Sequence, residues 1–230
     1  MNTLEKKQIQ KYLEDKRLPL DLYMEIEDHI ISQIEELENN GIGFQEAFLQ
    51  VQSKWKKELS FQNFNLADIK AVPKIVERIR ITYIKEVMPK ILSVSILTVI
   101  LLIIGANQLD EKSFNLLYCI IHWVYLGIFF IAYALSFKVL MQRLGYNKRP
   151  LNVYHKMVEL AIGLSTFPII TMMNASKSSE MFYNIFYGQE NHGLSNLIIL
   201  TVPLYLSSTC LFSAFVFIKY KKEVAKMKLA

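Results

Sequence analysis

Apolar residues follow two regimes along this chain. Up to about residue 65 they recur at three- and four-residue intervals among charged neighbours, and beyond about residue 90 they form long runs. Four of these runs have spanning length: residues 91–109, 114–137, 157–175 and 194–218. Each is close to the ~20 residues that cross ~30 Å of hydrocarbon as a helix. Lipid cannot satisfy backbone amides, so such segments are helices and not lone strands. Core helices of a soluble domain would need polar faces, which these runs lack.

The first 65 residues predict a small helical domain of three helices. The first covers about residues 4–16, with Leu4, Ile9, Tyr12 and Leu13 apolar. Pro19 breaks the chain, and Asp21 caps or begins the next helix. There Tyr23, Ile26, Ile30, Ile34 and Leu37 make one stripe at helical period. Asn39-Asn40-Gly41 ends it, glycine being suited to the left-handed C-terminal position. Gly43 is a permissible N-cap for a third helix, whose buried face is Phe44, Ala47, Phe48, Val51, Trp55 and Leu59. An amphipathic linker helix at 66–89 leads to the four-helix region at 90–218, and a basic tail fills 219–230. The expected fold class is therefore all-α: a polytopic membrane protein of four transmembrane helices preceded by a small cytoplasmic helical domain. About 60 residues is marginal for an independent core. The domain is expected to lean on the linker helix, the basic middle loop or a partner protein.

Charge sets the orientation. Sixteen Lys/Arg flank the N-terminal side of the first run, the loop between the second and third, and the C-terminal tail, whereas Lys112 and Lys177 alone occupy the other two loops. By the positive-inside rule, both termini and the middle loop are cytoplasmic. The overall pI near 9.0 does not point to nucleic acid, because residues 1–69 carry 8 basic against 13 acidic side chains and the basic excess lies beside the runs. The two cysteines, Cys119 and Cys210, both sit in apolar runs with no metal-ligand spacing. The charged N-terminus has no hydrophobic signal region.

Candidate chemistry is sparse. Glu25 and His29 share a helix face four residues apart, but a metal site needs further ligands at matching spacing. Within the runs His122, Glu159 and Asn174 are the polar residues to weigh, since ionisable groups in lipid are costly and mark transport paths when they face one another. Gly105, Gly127 and Gly163 are isolated and lack the paired small-residue spacing of a dimer face. No phosphate loop, dinucleotide fingerprint, zinc-protease helix or nucleophile elbow occurs, so no catalytic, cofactor-binding or metal-binding residue is assigned. The loop at 176–195, with Met181, Phe182, Tyr183, Ile185, Phe186 and Tyr187, is expected to lie on the outer membrane surface as an amphipathic piece.

The stretch Pro19, Glu25-Ile26-Glu27-Asp28-His29-Ile30, Gly41, Phe44-Gln45-Glu46-Ala47-Phe48 and Trp55 resembles the HAAS or permease-prefix domain found ahead of bacterial membrane spans. It resembles still more a group of uncharacterised bacterial inner-membrane proteins with such a leading module. The resemblance covers about residues 4–60 and implies a non-enzymatic regulatory or sensor-like role, often beside a PadR-like transcription regulator, in the bacterial cytoplasmic membrane. It carries over no catalytic residue. The expected partners are the lipid bilayer and a protein at the cytoplasmic domain, either a regulator or a membrane subunit, with no nucleic acid. The alternative is a small transporter subunit or transport accessory, and the third reading is a membrane enzyme. From the loop charges, a reporter active only outside the cytoplasm will work when fused near Asn115 or Gly188 and fail near Asn147 or after Ala230; the reverse pattern of activities would overturn this topology.

Overall fold

The computed structural model describes residues 1–62, 71–142, 150–172, 174–187 and 193–227. Residues 66–70 of the expected linker, Arg143, Lys148 and Arg149 of the middle loop, residues 188–192 and Lys228 lie outside the described residues. The described chain is all-helical apart from one two-residue pairing. In order it contains α1 (Thr3–Glu14), α2 (Leu20–Asn39), α3 (Phe44–Trp55), β1 (Phe61–Gln62), β2 (Val72–Pro73), α4 (Lys74–Gln108), α5 (Glu111–Gln142), α6 (His155–Met172), α7 (Ala175–Tyr187) and α8 (Gly193–Met227). Contacts cluster into two units. One comprises Met1–Tyr83, Val139–Lys156 and Lys222–Ala230; the other comprises Ile84–Lys138 and Met157–Lys221.

In the first unit, local sequence chemistry sets the helix ends. Asn2 accepts the Leu4 and Glu5 amides while Glu5 reaches back to the Asn2 amide, a capping box that starts α1. Helix α2 stops in a Schellman motif: Ile42 N–H donates to Leu37 O and Gly41 N–H to Glu38 O, with Gly41 at φ 84°. Gly43 is the N-cap of α3, as the sequence predicts. Ile9, Leu13, Leu22, Ile26, Ile30, Ile34, Ala47, Phe48 and Val51 are buried, and Tyr12 meets Phe48 edge-on at 6.0 Å. Each such aliphatic side chain contributes roughly 1.5–3 kcal/mol on full burial. Antiparallel β1–β2 sets Phe61 opposite Pro73, and the amides of Lys74 and Ile75 at the head of α4 donate to the carbonyls of Ser60 and Glu58.

Three expectations need correction here. Leu4 is exposed, because it lies on the outward face of α1. Trp55 is half-buried at the C-terminal end of α3, while Leu22, absent from the expected stripe, is buried. The linker is not a separate helix: α4 runs without a break from Lys74 through Pro89 to Gln108. Proline removes one N–H from a helical ladder, and this helix tolerates that with buried Val87 and Ile91 on either side.

Among the described residues, three helices are long and apolar enough to cross a membrane, Lys74–Gln108, Glu111–Met141 and Ile199–Met227, and most of their length belongs to the second unit. The α4 and α5 stretches expose large apolar side chains, among them Leu97, Leu101, Trp123, Ile131 and Leu135. Polar groups join the helices inside. Thr98 and Tyr125 share a hydrogen bond, Ser136 donates to Phe217 O at 3.3 Å and Ser213 to Ala161 O at 3.1 Å. Gly105 allows a close approach, since a Cβ there would meet Leu117 Cδ2 at 2.8 Å. Helix α7 is amphipathic as expected, but its apolar face packs on protein. Phe182 stacks on Phe114 at 5.8 Å, and the Tyr183 and Tyr187 hydroxyls donate to Leu109 O at 3.3 Å and Asn107 O at 3.0 Å. Asn174 lies in the turn before α7, exposed, where its carbonyl accepts the Ser178 amide.

The burial pattern ranks substitutions in the first unit. Ile34→Ala will cost about 2–4 kcal/mol in chemical denaturation of the full chain, as for other fully buried aliphatics, and Trp55→Ala distinctly less. Equal losses would show that Trp55 is as central as the sequence pattern implies.

Candidate functional site at the head of helix α2

Helix α2 begins after Pro19, which has no side-chain donor or acceptor to cap it. The first amides of any helix lack intrahelical partners. Here they find them far along the chain: Leu20 N–H donates to Pro150 O at 2.9 Å and Asp21 N–H to Leu151 O at 3.2 Å. The contact is returned, because Val153 N–H donates to Asp21 Oδ2 at 3.2 Å. The carbonyl of the same Val153 accepts Arg80 Nε from α4 at 2.8 Å. Asn152 Oδ1 accepts the Tyr154 amide at 3.0 Å, an Asx turn that shapes the entry to α6. Tyr83 meets Tyr154 edge-on at 5.2 Å. Leu151, Asn152, Val153, Tyr154 and Arg80 are all buried. The segment before α6 is thus clamped between the head of α2 and the first turns of α4.

Asp21 is the titratable centre of this joint. Burial pushes its carboxyl up to about 6, the amides of Leu22 and Val153 pull it down, and the nearby carboxylates of Glu223 and Glu25 push it up again. Glu223 itself pairs with Lys226 at 3.0 Å. The joint therefore holds a carboxyl that titrates at about 6.

The motif residues divide into two groups. Pro19 is buried at the head of α2, with its carbonyl accepting Tyr23 N–H at 2.8 Å. Gly41 forms the Schellman turn, Phe44 stacks on Phe48 at 5.9 Å, Ala47 is buried and Trp55 half-buried. Glu25, Asp28 and His29 are exposed on α2. Among the described residues no three His, Cys, Asp or Glu side chains come together to hold a metal. His122 is buried on α5, and Glu159 is half-buried in the early turns of α6. Sequence reading missed Arg80, Asn152 and Val153 as site residues and saw Asp21 only as a cap. An asparagine three residues before a helix is the one local signal that was present. Comparison of the chain with protein-family models, curated proteins and solved structures gives no match.

The sign of the pH effect follows from Asp21. A carboxyl whose folded-state pKa is raised above the unfolded ~3.9 holds its proton longer when docked. The joint is then firmest below about pH 4, loosens as pH rises through about 6, and remains looser above that. Asp21→Asn removes the charge and leaves one acceptor oxygen where the carboxylate uses two, for the Leu22 and Val153 amides. Amide protection factors across 151–154 in that variant will be flat between pH 5 and 7.5, whereas the parent chain loses protection over the same range. A parent profile as flat as the variant's would remove the titration from the joint.

Proposed function

We propose that this chain is a four-span protein of a bacterial cytoplasmic membrane, with both termini inside, whose N-terminal helices form a non-enzymatic regulatory module. The spans are the runs at 91–109, 114–137, 157–175 and 194–218. The three long apolar helices support this reading, as does their exposed apolar surface, which water would penalise and lipid would not. Helix α6, with 18 residues, is about 27 Å long at 1.5 Å per residue, near the hydrocarbon thickness. The loop charges support the orientation, and the resemblance of residues 4–60 to the permease-prefix module supports the host and the regulatory role.

The single observation that carries the regulatory reading is the joint. The resemblance-bearing helices are attached to the 150–154 segment through the head of α2, which gives the module a defined place to act. The exposed acidic face of α2, with Glu25, Asp28 and His29, remains for a protein partner. Two substitutions act on the joint in opposite directions. Asp21→Asn removes the buried charge, and Val153→Pro deletes the N–H that Asp21 accepts. In cells at neutral pH, a regulatory module will make the two variants shift one set of transcripts in opposite senses. Unchanged transcripts together with altered solute uptake would instead favour the transport-accessory role.

A further inference from the structure

Among the described residues of the second unit, three buried polar atoms have no hydrogen-bond partner, Ser95 Oγ, Tyr118 Oη and His122 Nε2, and the last two belong to side chains stacked on each other. His122 is 2% exposed and Tyr118 0%. His122 Nδ1 lies 2.7 Å from the Tyr118 carbonyl oxygen. A carbonyl only accepts, so Nδ1 carries the proton and the neutral ring presents Nε2 as a lone-pair acceptor. Among the described residues no donor meets that Nε2, and the Tyr118 hydroxyl is unpartnered as well. The two rings stack with centroids 4.0 Å apart at 23°. Their neighbours Leu102, Ala106, Phe114 and Phe182 offer apolar surface without hydrogen bonds.

Buried groups of this kind are almost always satisfied in folded proteins, and internal water is the usual agent. We propose that the Tyr118–His122 pair binds a compact hydrogen-bond donor, either a water molecule or an ammonium ion. The tautomer fixes the ligand as a donor toward Nε2, while the phenol can give or accept. Close packing fixes its size, because one turn away the α4–α5 pair leaves no room even for a Cβ at Gly105 without moving Leu117. This site is independent of the regulatory reading, since it rests on contacts within the second unit alone.

Tyr118→Phe tests the proposal, because it keeps the ring and its stacking and removes only the hydroxyl. A dry, unpaired hydroxyl opposes folding, so its loss would raise the melting temperature. A ligand-bonded hydroxyl contributes, and its loss will lower the melting temperature of the full-length protein in nanodiscs by about 2–4 °C. Nitrogen NMR of histidine-labelled protein gives the second readout. His122 Nε2 will resonate at the position of a hydrogen-bonded acceptor and receive magnetisation from water protons if water is bound. If ammonium is bound, replacing sodium chloride by ammonium chloride at equal ionic strength will raise the melting temperature of the parent but not of Tyr118→Phe. A Tyr118→Phe protein that melts at the same or a higher temperature, with His122 Nε2 at the unbonded position, would overturn the proposal.

Discussion

A helix cannot satisfy the amides of its own first turn or the carbonyls of its last, and much of this structure is the set of answers to that constraint. Local residues answer it at α1, through the Asn2 capping box, and at the end of α2, through the Gly41 turn. Distant residues answer it elsewhere. The head of α2 takes the carbonyls of Pro150 and Leu151, and the head of α4 takes those of Ser60 and Glu58. At the C-terminal end of α4, the hydroxyls of Tyr183 and Tyr187 reach Leu109 O and Asn107 O. Where the cap is local, a helix ends on its own terms. Where it is distant, the cap becomes the tertiary contact, and the candidate site is one of these.

The same contacts show that directional hydrogen bonds shape the first unit alongside its charges. An acidic helical domain beside basic flanks suggests attraction, but exposed ion pairs are worth only about 0–1 kcal/mol and are screened beyond ~8 Å. The joint is made of backbone groups, an asparagine, a buried arginine bonded to a carbonyl and two tyrosine rings. Hydrogen bonds shielded from water, each about 0.5–1.5 kcal/mol net, are more directional than surface pairs and fix the register of the contact. The acids that do approach, Glu223 and Glu25, oppose the charge on Asp21.

What the sequence reveals and what it conceals follow from the range of each interaction. The apolar runs now in α4, α5 and α8 were legible because spanning length and composition are properties of contiguous residues. The Gly41 stop and the Gly43 start were legible because capping is decided within a few positions. The join between the linker at 66–89 and the first apolar run was not legible, because the continuity of α4 through Pro89 is decided by its neighbours. Helix α7 showed its amphipathic period but not its destination, since a face that suits lipid also suits Phe114 and Tyr118. The joint was the least legible of all. Its bonds link residues about 130 positions apart through backbone groups, which every residue carries and no composition marks.

Asp21 shows where helix chemistry and burial disagree. A carboxylate at a helix N-terminus ordinarily gains roughly 0.3–1 kcal/mol from the helix dipole, and that gain holds its proton affinity down. Two amides add to the same pull here. The carboxyl nevertheless ends well above its usual range, so desolvation with two neighbouring carboxylates outweighs both effects. An asparagine has a single acceptor oxygen, so it would take the Val153 amide only by giving up that of Leu22. What aspartate supplies at this position, and asparagine cannot, is a charge that appears and disappears near neutral pH. Aspartate therefore serves the Leu22 and Val153 amides together and adds a charge that titrates at about 6, at the place where the head of α2 grips the segment entering α6.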